Sequence, residues 1–251
     1  MNFTHHIASV SFGKDSLAML LMLIEKQYPL DEVMFYDTGM EFNAIYNLEK
    51  RLQPILEQHN IQYVRITPEN PFLYDMLKRP VYSKEKGEHL GYGWCGGLCR
   101  WGTSNKTKAL DGYAKQKNAM VYVGIAVDEP ERVERINKCE FKSAPLAEWN
   151  ITEKQALQYC YDHGYNWSEN GIELYNILDR VSCWCCCNKN KKELRNMREY
   201  LPNYWQKLLN LQGQLKRPMK KFKTDKRFGN LGNIINLEKY WQAEDEMNLF
   251  C

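Results

Sequence analysis

Two stretches of this chain hold residues whose types and spacing can do chemistry. The first is S-F-G-K-D-S, residues 11–16, which directly follows the apolar run Ile7-Ala8-Ser9-Val10. A short polar loop leading from a strand into a helix presents unpaired backbone N–H groups at the positive end of that helix, a setting suited to phosphate. Gly13 permits close backbone approach, Ser11 and Ser16 add hydroxyl donors, and Lys14 adds a cation. Asp15 reads as a helix cap or an indirect metal contact. The same six residues also suffice as an ordinary capped helix start, and the Walker spacing G-x-x-x-x-G-K-[ST] is absent.

The second feature is the cysteines, nine in all. Cys95 and Cys99 stand in W-C-G-G-L-C-R-W, and Cys183, Cys185, Cys186 and Cys187 in V-S-C-W-C-C-C-N-K. Short-spaced pairs on two loops are an economical way to hold a metal. Cys183 and Cys186 form a C-x-x-C, so Cys95, Cys99, Cys183 and Cys186 are the expected ligands. That leaves Cys185 and Cys187 packed inward or near a reacting centre. Four thiolates suit zinc or an iron–sulfur cluster equally well. Cys139 and Cys160 are isolated and read as core thiols.

These residues need a scaffold, and the hydrophobic pattern supplies one. Strands are expected at 5–12, 32–37, 61–67, 119–127 and 141–147, and helices at 16–26, 42–58, 105–116 and 150–164. The last of these helices opens on a capping box, Thr152 to Gln155. Residues 68–103 read as irregular. Alternating strands and helices predict an α/β fold, a doubly wound and mostly parallel sheet, with a mainly helical C-terminal part. The expected division is a nucleotide-binding domain with the cysteines over 1–187 and a basic helical extension over 188–251.

The composition is that of a globular protein, 44% hydrophobic and 26% charged. No apolar run approaches membrane-spanning length, so no membrane association and a cytoplasmic location are expected. In a reducing compartment clustered cysteines point to metal or chemistry rather than disulfides. The net charge of +3 conceals an asymmetry, because residues 189–227 carry 13 Lys/Arg against 3 Asp/Glu. Tyr200, Tyr204, Trp205 and Phe222 lie among those charges and could stack on bases. This segment therefore reads as a surface for a polyanion, with tRNA or DNA as the expected class.

Several stretches resemble one family. S-F-G-K-D-S is similar to the S-G-G-x-D-S PP-loop of the adenine-nucleotide α-hydrolases, with Phe12 at the second place. Y-D-T-G-M-E-F (36–42), G-I-A-V-D-E-P-E-R-V-E-R (124–135) and A-P-L-A-E-W-N-I-T-E-K-Q-A-L-Q-Y-C (144–160) resemble, in order, segments of the phosphoadenylylsulfate (PAPS) reductase branch. The resemblance implies an adenine nucleotide, either ATP or the adenylyl sulfates APS and PAPS. Its phosphates would lie on Ser11, Phe12, Gly13, Lys14, Asp15 and Ser16, with Asp37, Thr38, Gly39, Gly124 and Arg132 around the remainder. Lys14 and Asp15 would take part in catalysis, and Mg2+ would accompany ATP. Glu41 joins the strand tip or merely caps a helix.

APS reductases of this family hold a 4Fe–4S cluster with a C-x-x-C that follows Y-N-x-L. Here Y-N-I-L (175–178) precedes Cys183, so the resemblance implies a 4Fe–4S cluster ahead of Zn2+. Three departures are evident. The first cysteine pair is C-x-x-x-C rather than adjacent, Ala126 replaces a frequent arginine, and no E-C-G-x-H surrounds Cys251. ATP-dependent adenylation and thiolation of a nucleic acid, served by a sulfur or electron donor protein, is therefore expected ahead of sulfite-producing APS/PAPS reduction. A catalytically silent nucleotide-binding module comes third.

Overall fold

Four of the expected runs become β1 (His5–Ser9), β2 (Glu32–Tyr36), β3 (Gln62–Ile66) and β4 (Ala119–Val123), and of the run expected over 141–147 only the short β5 (Lys142–Ser143) forms, because Pro145–Glu148 is helical. In the computed structural model, which describes residues 3–85, 87–95 and 98–248, they form one sheet. Its order is β3-β2-β1-β4-β5 and every neighbouring pair is parallel. All five residues of β2 are buried, as expected for a central strand covered on both faces.

Five helices cover the sheet: α1 (Lys14–Glu25), α2 (Asn43–Gln58), α3 (Lys106–Gln116), α4 (Pro130–Asn137) and α5 (Glu153–Asp162). Side chains alternate along each strand, so one sheet face sends Ile7, Met34 and Val121 toward Leu110 and Ala114 of α3. The other sends Ala8, Val33 and Phe35 toward Leu17 and Leu20 of α1 and Ile45 and Leu48 of α2. The fold is therefore the doubly wound α/β sheet. The capping box is present: Gln155 N donates to Thr152 Oγ1 at 3.3 Å, and Thr152 N to Gln155 Oε1 at 2.9 Å.

Residues 68–103, expected to be irregular, contain a helix, Phe72–Leu77, and an antiparallel hairpin of Pro80–Ser83 with Gly87–Leu90. The hairpin leaves Tyr82 74% and Leu90 69% exposed, so no inward-facing apolar alternation marks it in the sequence. Past it, Gly91 (φ +68°) passes so close to helix Phe72–Leu77 that a Cβ would lie 2.2 Å from the Met76 carbonyl oxygen. The chain ends in α6 (Lys191–Tyr200), α7 (Pro202–Gly213) and α8 (Ile234–Asn248). Leu194, Trp205, Leu237 and Trp241 of these helices share one apolar core with α1, so that core is continuous across residue 188. Among the described residues no helix is long and apolar enough to cross a membrane.

Candidate functional site

From β1 the chain winds toward β3, and from β4 it passes to β5 on the opposite side. The crevice at the C-terminal ends of β1 and β4 is therefore the switch point where such sheets take ligands. Residues 11–16 lie there, and α1 begins at Lys14 with Gly13 as its cap residue. Phe12 has φ +56°, a left-handed conformation that favours glycine. Its ring is wholly buried and packs edge-on against Phe35 at 5.1 Å, while its carbonyl accepts from Trp167 Nε1 at 2.7 Å. The Phe12 side chain thus belongs to the core, and only its backbone faces the loop.

The loop is closed by its own side chains and by Tyr175 and Glu153. Ser16 Oγ accepts from Ser11 N (3.1 Å), and the Lys14 amide donates to Tyr175 Oη (2.9 Å). Lys14 Nζ bridges Asp15 Oδ1 (2.7 Å) and Glu153 Oε2 (2.9 Å). Oxygens of Asp15, Glu129 and Glu153 lie within 4.8 Å of one another. Burial pushes the Asp15 carboxyl up, overriding the pull of Lys14. Gly124, at the tip of β4, is fixed by packing: a Cβ there would sit 2.6 Å from Ser16 Cα. Arg132 is held by an ion pair with Glu129, which Arg180 also approaches at 3.5 Å.

At the tip of β2, Asp37 turns inward. Its carboxylate accepts from Gly39 N (2.8 Å), Tyr46 Oη (2.9 Å) and Arg65, so it shapes the turn that Gly39 (φ +75°) completes. Thr38 points the other way. Thr38 Oγ1 donates to Glu41 Oε1 (2.9 Å) and lies 3.4 Å from Cys183 Sγ, which in turn lies 3.4 Å from Glu41 Oε1. Burial pushes the Glu41 carboxyl up although Lys106 opposes it, and burial pushes the Lys106 ammonium down against Glu41. The strand-tip motif therefore touches the cysteine segment directly.

One cavity of about 970 Å³ connects the two chemical stretches. Ser11, Ser16 and Gly124 line it at one end, and Cys95, Cys99, Cys183, Cys185, Cys186 and Cys187 line it elsewhere. Cys99 donates to Cys95, which lowers the Cys95 pKa to about 7 and raises that of Cys99. The thiol of the second segment whose charge reaches both is Cys187, not Cys183. Cys183 sits with Thr38 and Glu41, and burial pushes its pKa well up. Backbone amides also reach the sulfurs: Gly102 N to Cys99 at 3.2 Å and Arg100 N to Cys95 at 3.4 Å. Among the described residues no three thiol sulfurs lie within 4.8 Å of one another.

Three buried donors on residues that line the same cavity have no acceptor among the described residues: Trp94 Nε1, Trp101 Nε1 and Lys189 Nζ. Orphaned donors beside six thiols fit an acceptor-only, negatively charged group, as a thiolate-ligated centre is. The sequence reading left Cys187 out of the ligand set and gave no site role to Tyr175, Glu153, Lys106 or Lys189. A signal for Cys187 was present, since Cys183-x-x-x-Cys187 repeats the spacing of Cys95 and Cys99. Tyr175, Glu153, Lys106 and Lys189 reach the site only through tertiary packing. Cys160 is wholly buried, as a core thiol should be, and Cys139 is half-buried; Cys251 lies outside the described residues.

An uncharacterized protein of Methanocaldococcus jannaschii, MJ0066, is 21% identical over 224 residues. That match covers 82% of this chain, and the chain spans only 41% of that relative's length. The U34-tRNA thiolase NcsA from Methanococcus maripaludis, solved with its [4Fe-4S] cluster, superposes with a TM-score of 0.47 at 15% identity, over 92% of this chain and 78% of that one. A model of the phosphoadenosine phosphosulfate reductase domain matches residues 5–189, and with nearly three quarters of its length inside that match the chain belongs to this family.

Proposed function

We propose that this chain is an ATP-dependent sulfur transferase that adenylates and then thiolates a nucleic acid. The observation that carries the reading is the single cavity running from Ser11 and Ser16 to both cysteine segments. ATP would lay its phosphates on residues 11–16, with Ser16 Oγ released from the Ser11 amide and Lys14 turned from its carboxylates to the leaving pyrophosphate. Magnesium would enter with the nucleotide beside Asp15, Glu129 and Glu153, the set whose oxygens converge. A carbonyl oxygen of the acceptor attacks the α-phosphorus, and the bond to the β-phosphate oxygen breaks, releasing pyrophosphate. Sulfide then adds to the activated carbon, whose C–O bond breaks to release AMP and leave a C–S bond. Phe12 and Gly124 keep the loop and the start of α1 in place, while Asp37 and Gly39 shape the wall beside Thr38.

The cysteines would hold a 4Fe–4S centre through Cys95 and Cys99 on one side and Cys186 with Cys187 or Cys183 on the other. Such a centre supplies a binding point for sulfur on its way to the acceptor. The test uses anaerobic protein reconstituted with ferrous iron and sulfide, given ATP, sulfide and bulk tRNA. AMP and pyrophosphate should form together with a thionucleoside detectable by mass spectrometry. Lys14→Ala should weaken ATP binding by about 1–3 kcal/mol. Sulfite released from APS or PAPS, with ATP untouched, overturns the reading in favour of a reductase.

A further inference from the structure

Lys189 is 2% exposed, and its ammonium has no hydrogen-bond partner among the described residues. The one charge-accepting surface described beside it is the face of Phe42, at 5.3 Å. The nearby carboxylate of Glu193 already accepts from Asp179 N (3.1 Å) and Asn190 N (2.8 Å). Burying an unpaired ammonium is unfavourable, and a negative partner brought to it offsets that cost.

The surroundings say what that partner is. The Lys189 amide donates to the Cys186 carbonyl at 3.2 Å, which seats the residue on the second cysteine segment. Its charge reaches Cys185. Trp94 and Trp101, each 3% exposed and each with an orphaned indole N–H, bracket Cys95 and Cys99 on the first segment. The unmet donors therefore lie on both cysteine segments and line the one cavity, and none of the three can accept a hydrogen bond. Nucleotide phosphates already have donors of their own at residues 11–16. What remains is an anion held between the two cysteine segments.

We propose that Lys189 is the internal counter-cation of a cysteine-ligated, negatively charged centre in this cavity, and that with the Trp94 and Trp101 indoles it makes that centre easier to reduce. The proposal rests on the reading above that the cysteines hold a metal centre. Lys189 is a positioning residue, because it acts on the centre and not on the reactants. Hydrogen bonds and positive charge beside cluster sulfurs stabilise the more negative, reduced state.

The test compares the full-length wild type with Lys189→Met and Lys189→Arg, each metal-free and each reconstituted anaerobically with ferrous iron and sulfide. At a fixed ambient potential the reduced-to-oxidised ratio of Lys189→Met should fall about tenfold, equivalent to about 59 mV for one electron, and Lys189→Arg should restore it. Thermal melting gives a second, activity-independent reading with opposite signs. Lys189→Met should melt higher than wild type when metal-free, since it no longer buries an unpaired charge, and lower when reconstituted. A Lys189→Met protein with wild-type ratio and iron content overturns the counter-cation, as does one that fails to fold metal-free. Wild-type protein that takes up no metal overturns the centre as well, so the two failures are distinct.

Discussion

Phe12 shows how a single residue can carry two opposed demands. Its left-handed backbone costs a non-glycine residue about 1–2 kcal/mol, while its wholly buried ring packs on Phe35 and beside Tyr63. Removing a buried phenylalanine costs about 3–5 kcal/mol, so burial wins. Phe12→Gly should therefore destabilise the chain by about 2–3 kcal/mol, although it restores the glycine usual at this place in similar loops. Differential scanning calorimetry should show a fall of roughly 4–12 °C for a chain of this size. A rise would mean that strain, not packing, dominates the loop. The carbonyl bond from Trp167 Nε1 needs no side chain at this position and should survive the change.

At the scale of elements, the sheet is held in register at its entry end by one buried carboxylate. Glu32, at the start of β2 and 1% exposed, accepts from Lys117 Nζ (2.6 Å) and Tyr113 Oη (2.7 Å), and lies 2.9 Å from His5 Nε2. It thereby ties β2 to the end of α3 and to the first residue of β1. Burial pushes its carboxyl up, but the bonds from Lys117, Tyr113 and His5 outweigh that and hold its pKa below the ordinary carboxylate value. A depressed folded pKa means stability that is fully present above the ordinary value and lost as pH falls through the folded one. Glu32→Gln should therefore cost about 1–3 kcal/mol at pH 7, and the gap to wild type in urea unfolding should narrow as the pH falls below the ordinary carboxylate value and through the depressed folded one. A gap that does not change across an acid pH series would assign the loss to geometry, not charge.

The same elements show what could be read from sequence. Four of the five strands and the helices around them were legible from apolar and β-branched runs and from a 3.6-residue helical period. The fifth, expected over 141–147, is only Lys142–Ser143, because Pro145–Glu148 turns into a helix. The Pro80–Leu90 hairpin was not legible, since its large apolar side chains face outward. The loop at 11–16 and both cysteine segments stood out by residue type and spacing, the loop only with the help of its family resemblance, and the structure lines one cavity with residues of both. That the charge of Cys187 rather than Cys183 is felt at the first cysteine segment, and that Cys183 sits with Thr38 and Glu41, was not legible. It depends on how the turn after Val181 docks against the tip of β2, where Trp184 N donates to the Met40 carbonyl at 3.0 Å.

At the scale of the whole molecule, the basic segment divides into charges used inside the fold and charges left outside it. Arg198 pairs with Glu238 (2.8 Å) and Asp245, and Arg195 with Glu244 (3.3 Å) and Asp245, so both clamp α6 to α8. Lys189 is buried, and Lys220 Nζ is spent on the Lys189 carbonyl. Two of the aromatics expected to stack on bases are also withdrawn, a correction to the sequence reading. Tyr204 and Trp205 are 6% and 5% exposed and hydrogen-bond Glu169 and Glu238, leaving Tyr200 and the half-buried Phe222. The exposed cations Lys216, Arg217, Lys221, Lys223, Lys226 and Arg227 lie on the stretch after α7, which Lys220 anchors to the cysteine segment. A polyanion bound there would run close to the cavity rather than on a remote face. If about four of these charges meet phosphates, log K for tRNA should fall with log salt at a slope of about −3 to −4. Changing Lys216, Arg217, Lys221 and Lys223 to Gln, with Lys220 left in its internal bond, should flatten that slope and leave ATP affinity unchanged. Arg195→Gln with Arg198→Gln should do the reverse, lowering the melting temperature without altering the slope. Filter binding across a salt series reads both, and a slope that stays the same in the four-site variant would move the acceptor surface elsewhere on the molecule.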